Sequence, residues 1–139
     1  MATNVINFGI IGCGGITLQN HLPGLAVCPD VKVVALCDAD ASVLERARAQ
    51  TGVAIVSRDY KDILDRNDVH AVIIATPNSL HAPIALAAIA QGKHVLCEKP
   101  LAVNHSEAMQ MADAAERANV RHMTAVSYTH LTLPTILRV

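Results

Sequence analysis

The stretch FGIIGCGGIT places Gly12, Gly14 and Gly15 directly behind an apolar run, with Cys13 between them and Ile16 and Thr17 following. Glycines at this spacing permit a tight turn and leave room for a pyrophosphate to reach backbone N–H groups at a helix start, with no Cβ in the way. The third position of this fingerprint is usually Gly or Ala, because helix and strand pack closely there. Here it is Thr17, which adds bulk and a hydroxyl, so the match is imperfect. An acid strengthens the reading. Asp38 closes the second apolar run in VVALCDAD, at about the 20-residue offset where a carboxylate accepts hydrogen bonds from the adenosine ribose. Asp40, two positions on, is available to cap the next helix, which leaves Asp38 free for that role.

Together these residues point to a dinucleotide cofactor. Asp38 would repel a 2′-phosphate and Ala39 supplies no arginine to receive one, so NAD is favoured over NADP. Two further segments follow buried-strand runs, ATPNSLH and CEKPLA. Ligands on an open α/β sheet bind beyond the carboxyl ends of the strands, so Thr76, Pro77, Asn78 and His81, then Glu98 and Lys99, are candidate site residues. Asn78 reads equally as a turn former and His81 as a polar helix start. An ammonium at Lys99 suits the mouth of such a cleft, where it can bond a substrate hydroxyl and hold the reacting carbon in line for hydride transfer. Glu98 and Lys99 read alternatively as an ion pair, and Lys99–Pro100 is a candidate cis bond.

Other chemistries find little support. The four cysteines, Cys13, Cys28, Cys37 and Cys97, form no C-x-x-C pair, and the seven histidines show no H-x-x-x-H spacing, so no metal is assigned. The cysteines read as small apolar fillers in a reducing compartment. With 12 acidic against 11 basic side chains and Phe8, Tyr60 and Tyr128 as the aromatics, the chain has neither a basic field nor a stacking platform for nucleic acid. No apolar run is long enough to span a bilayer and the first residues, MATNVINFGIIG, do not read as a secretion signal, so a cytosolic location and no membrane partner are expected.

The elements that must position these groups follow from the hydrophobic rhythm. Short Val/Ile-rich runs at Val5 to Ile11, Val31 to Cys37, Ala54 to Ser57, Ala71 to Ala75 and His94 to Cys97, with a weaker one at Arg121 to Ala125, alternate with segments of helical period. Their continuity suits strands buried on both faces of a parallel sheet. Asp40 is predicted to cap a helix ending at Thr51-Gly52. Asn104 with Glu107 forms a capping-box pattern, and Pro83 suits the first turn of a helix running to Gln91. Tyr60 to Asn67 reads as a short helix. Pro23-Gly24 predicts that the first helix breaks into two pieces. The right-handed crossover rule winds this order into an α/β, doubly wound, mostly parallel Rossmann-type sheet. With 139 residues and 52% apolar side chains, a single domain with its own core is expected.

The series GCGGIT, HLPGL, VVALCDAD and ATPNSLHAPIALAAIAQGKHVLCEKPLA resembles the N-terminal half of the Gfo/Idh/MocA oxidoreductases, over residues 5 to about 125. The block Ala75 to Ala102 carries the T-P-N, the histidine three residues on, the G-K-H-V and the E-K-P in the family's order. The resemblance implies that Gly12, Cys13, Gly14, Gly15, Ile16, Asp38, Thr76, Pro77, Asn78, His81 and Glu98 lie along NAD(P). It implies a catalytic Lys99 that reaches both nicotinamide and substrate. It also implies sugar, inositol or related polyol substrates, and a second α+β domain that completes catalysis and makes the homo-oligomer. That second domain is not expected in this chain, so the fragment itself should be inactive. The segment VSYTHLTLPT, Val126 to Thr135, resembles the translation of a transposon-end adapter used in sequencing libraries. Residues 1–125 are therefore expected to form the dinucleotide-binding domain and residues 126–139 a non-native tail. Two readings of other classes stay open: a nucleotide-binding sensor module without catalysis, and an adenosyl-group methyltransferase, which shares the glycine turn and the strand-two acid.

Overall fold

A computed structural model describes residues 5–126. The expectation for the tail falls, apart from Val126, outside the described residues. Six strands, β1 (Ile6–Ile11), β2 (Val31–Cys37), β3 (Ile55–Ser57), β4 (Ala71–Ile74), β5 (His94–Glu98) and β6 (His122–Ala125), form one sheet in the order β3-β2-β1-β4-β5-β6. Every pairing is parallel. This is the doubly wound arrangement, and its strand order reverses between β1 and β4.

Because successive side chains point to opposite faces, each inner strand feeds two cores. Ile11, Ala35, Cys37, Val72 and Ile74 lie in one, with residues of α3 (Tyr60–Leu64), α4 (His81–Ala90) and α5 (His105–Ala118). Ile10, Leu36 and Ile73 lie in the other, with residues of α1 (Leu22–Ala26) and α2 (Ala41–Thr51). The run Ala71–Ile74 is buried at every position, as a central parallel strand requires.

Helix ends follow the sequence signals closely. Asp40 Oδ1 accepts from the N–H groups of Ser42 (2.8 Å) and Val43 (3.3 Å), and Gly52 at φ +69 closes α2. Asn104 Oδ1 accepts from Glu107 N–H at 2.9 Å, while its amide donates to the Glu107 carboxylate at 3.1 Å. The first helix comes as two short pieces, as expected: a π-helical turn, Thr17–His21, and α1, which carries Pro23 in its first turn. The two join without a gap, with helical dihedrals at Ile16, His21 and Leu22. Leu22 N–H bonds back to the Thr17 carbonyl, so a wider turn precedes the proline, which sits at the start of α1 where a missing N–H costs least. No helix among the described residues is long and apolar enough to cross a membrane.

Candidate functional site

A cleft of about 400 Å³ opens at the carboxyl end of the sheet, beside the β1/β4 reversal. Its walls include Gly12 and Gly14 behind β1, Asp38 and Ala39 behind β2, and Thr76 and Pro77 behind β4. Open α/β sheets bind ligands at this place.

The glycine turn is shaped by contact at one position and by emptiness at another. Gly12 has φ +95, and a Cβ there would stand 2.4 Å from the carbonyl oxygen of Ala75, so the β1 and β4 exits can approach this closely only through glycine. A Cβ at Gly14 or Gly15 meets nothing within 4 Å. No side chain fills the space at Gly14 on the cleft wall, so the backbone there is open to a group in the cleft. Thr17, the irregular member of the fingerprint, is fully buried and donates its hydroxyl to the Gly12 carbonyl at 2.6 Å. Its extra bulk thus closes the turn from behind.

Asp38 is held by the turn it faces. Its Oδ2 accepts from Cys13 N–H at 2.7 Å and its Oδ1 from Asp40 N–H at 2.9 Å. Each carboxylate oxygen retains acceptor capacity, so the fixed group can still receive ribose hydroxyls. Burial, reinforced by the Asp38 charge, pushes the Cys13 thiol up to about 12. Cys37 is raised to about 12 mainly by burial, then by Cys13 and Asp38. Both thiols stay neutral packing groups beside the acid.

The exits of β4 and β5 are tied to each other. His81 is 1% exposed; its Nδ1 lies 2.7 Å from the Pro100 carbonyl and its Nε2 2.9 Å from that of Thr76. Both ring nitrogens are therefore engaged with backbone, and His81 stands outside the cleft walls. Its part is to join the ATPN and EKP turns. Thr76 Oγ1 is buried with no hydrogen-bond partner among the described residues, a polar group with bonding capacity to spare in a residue of the cleft wall. Glu98 Oε1 accepts from His21 Nε2 at 2.8 Å and its Oε2 from Lys99 N–H at 3.1 Å, so Glu98 is anchored by the first helix rather than by the Lys99 ammonium. Lys99 is exposed, its side chain forms no ion pair among the described residues, and its bond to Pro100 is cis.

The cleft thus gathers Gly12, Gly14, Asp38, Thr76 and Pro77. Cys13, buried behind the turn, Gly15, Ile16, Asn78, Glu98 and Lys99 lie outside its walls. Sequence reasoning missed Arg58, Tyr60, Leu80 and Ile84, which also line the cleft, and His21, which holds Glu98. Arg58 also revises the cofactor argument, since an arginine does stand beside Ala39: its Nε donates to the Ala39 carbonyl at 3.0 Å. His21 lies in HLPGL, a segment that carries the family resemblance without marking this histidine for a role. Nothing local marked Arg58, because only the strand order brings the end of β3 next to that of β2.

Sheet order, the glycine turn behind β1 and the acid at the end of β2 are the features of a dinucleotide-binding domain. The family described as an oxidoreductase family with an NAD-binding Rossmann fold matches residues 6–126, and the chain belongs to that family, Gfo/Idh/MocA. A levoglucosan dehydrogenase of Pseudarthrobacter phenanthrenivorans is 38% identical over 133 residues, a match covering 88% of this chain and 33% of that protein. The chain spans about a third of the length of the curated relatives it matches. Among solved structures, KijD10, a 3-ketoreductase from Actinomadura kijaniata in complex with NADP and TDP-benzene, superposes with a TM-score of 0.87 at 30% identity. It matches 96% of this chain and 41% of that one. The WlbA dehydrogenase from Bordetella pertussis, in complex with NADH and UDP-GlcNAcA, gives 0.83 at 31% identity over 90% of this chain and 36% of that one. The chain is an NAD(P)-binding domain of this family.

Proposed function

We propose that this chain is the cofactor-holding part of a dehydrogenase or reductase that acts at a hydroxyl-bearing carbon of a sugar, inositol or related polyol. The observation that carries this reading is the fixed Asp38 carboxylate beside an unfilled glycine cradle, at the carboxyl end of the sheet. Gly12, Gly14 and Gly15 would hold the diphosphate, with Cys13 and Ile16 flanking it in the same turn. Asp38 would take the adenosine ribose, while Thr76, Pro77 and Asn78 would line the path toward the β5 exit. When bound, the dinucleotide supplies a hydride donor or acceptor at its nicotinamide ring. Lys99 is the catalytic residue in this reading; its ammonium donates to the substrate oxygen and stabilises negative charge as it develops there. His21 fixes Glu98, and His81 fixes the turn that carries Lys99, so the ammonium acts from a braced platform.

The names of the similar proteins, a levoglucosan dehydrogenase and enzymes captured with TDP- and UDP-linked ligands, support a carbohydrate substrate class. The proton-transferring partner and the homo-oligomer contacts belong to the second domain of the full-length protein. NAD remains the favoured cofactor because of the Asp38 charge. A cytosolic setting, without membrane or nucleic-acid partners, fits the neutral buried thiols and the near-zero net charge. Titration of this chain with NADH, S-adenosylmethionine and ATP, beside a polyol turnover assay, tests the reading. Saturable binding of NADH alone, with no turnover, is the expected result. Preferential S-adenosylmethionine binding would move the chain to the methyltransferase class.

A further inference from the structure

Resting on that reading of the cleft, we propose that Arg58 is a cofactor-specificity residue: it provides the positive charge that admits a 2′-phosphorylated dinucleotide beside Asp38. The chain then accepts NADP as well as NAD, and Arg58 sets the ratio between them.

Four observations converge on this. Arg58 lines the same cleft as Gly14, Asp38 and Ala39, so it shares the adenosine end with the ribose-binding acid. Its Nε donates to the Ala39 carbonyl at 3.0 Å, which ties the root of the guanidinium to the backbone that follows Asp38. Among the described residues the guanidinium forms no ion pair, and no hydrogen bond other than that one, so its two terminal nitrogens keep their donors for a ligand. The neighbouring acids are engaged elsewhere. Asp38 is held by two backbone N–H groups, Asp59 accepts from Lys61 N–H at 2.9 Å, and Asp62 accepts from the Ser57 hydroxyl at 2.5 Å. A forked, permanently charged donor set suits a phosphate monoester, whereas a ribose hydroxyl gains little from it. Asp38 opposes the same phosphate, so the two residues act against each other and the outcome is a mixed specificity.

The test is direct binding of NAD⁺ and NADP⁺ to the whole chain by calorimetry, with 5′-AMP and 2′-AMP as fragments that isolate the 2′-phosphate. The unsubstituted chain is expected to bind both dinucleotides with dissociation constants within about tenfold of each other. Arg58→Gln is expected to weaken NADP⁺ and 2′-AMP by about tenfold or more while changing NAD⁺ and 5′-AMP by less than about threefold. Arg58→Lys should lie between the two, and added salt should weaken NADP⁺ more than NAD⁺. A parallel melting curve confirms that the exposed substitution leaves the fold intact. Equal losses for both dinucleotides in Arg58→Gln, or NAD⁺ binding with no detectable NADP⁺ binding in the unsubstituted chain, overturns the assignment of Arg58 alone. Failure of the unsubstituted chain to bind either dinucleotide overturns the reading of the cleft, and this assignment with it.

Discussion

The backbone N–H of Cys13 donates to Oδ2 of Asp38 at 2.7 Å, so the glycine turn behind β1 and the acid at the end of β2 form one unit. Asp40 N–H holds the other oxygen at 2.9 Å. Asp38→Asn replaces one acceptor with an NH₂ that faces an N–H donor. The expected cost is about 1–2 kcal/mol of folding stability, read by urea denaturation, together with a loss of about tenfold in NADH affinity. Full NADH affinity in a correctly folded Asp38→Asn chain would remove Asp38 from the site.

The two faces of the glycine turn separate folding from binding. Gly12→Ala drives a Cβ into the Ala75 carbonyl at a backbone angle of +95, and a loss of about 2–4 kcal/mol is expected. Gly14→Ala meets no atom within 4 Å, so its melting temperature should be unchanged or slightly raised while NADH binding falls. Comparing melts and titrations of the two variants checks both halves; similar behaviour in the two would refute the division.

Thr17 serves the turn through its hydroxyl. Thr17→Val keeps shape but leaves the buried Gly12 carbonyl without this donor, and should cost about 1–2 kcal/mol. Thr17→Ser keeps the donor and gives up a methyl group, at about 1 kcal/mol. If denaturation curves show Ser as the more damaging of the two, packing and not the 2.6 Å hydrogen bond is what matters at this position.

Thiol chemistry offers a prediction with a defined sign. Cys13, Cys37 and Cys97 are buried and each is pushed up to about 12, chiefly by burial, whereas Cys28 is exposed. A disulfide reagent at neutral pH should therefore titrate Cys28 quickly and the other three only on unfolding. Between the ordinary thiol value of 9.0 and about 12, the unfolded chain has released protons that the folded chain still holds. Stability contributed by these thiols is thus complete below pH 9.0 and declines as pH rises through that window. Urea curves on a Cys13→Ser, Cys37→Ala, Cys97→Ala chain should show a shallower alkaline decline than the parent.

Most of the fold was legible because a central parallel strand leaves a plain trace: Ala71–Ile74 is apolar at every position, and β2 ends where VVALC meets Asp38. Caps were legible for the same local reason, as Asp40 and Asn104 show. The two short pieces of the first helix follow from Pro23, but proline chemistry does not say how they join; here a widened turn leads straight into α1. At the site, Gly12, Gly14 and Asp38 announce themselves through spacing. The part His81 plays in joining the ATPN and EKP turns rests on its contact with the Pro100 carbonyl, which spacing alone does not reveal. Arg58 and Tyr60 reach the cleft only through the pairing of β3 with β2, a long-range fact absent from any window of sequence.

Whether an open glycine cradle and a fixed carboxylate hold a dinucleotide is decided by an NADH titration of the chain beside its Gly14→Val variant. Nicotinamide fluorescence and melting curves should be recorded on the same samples. One saturable site is expected in the parent, displaced by ADP-ribose, with a loss of about tenfold or more in the variant and little change in melting temperature. Equal NADH affinity in the parent and the Gly14→Val variant, or no saturable binding in a folded parent chain, would contradict dinucleotide binding at the cradle.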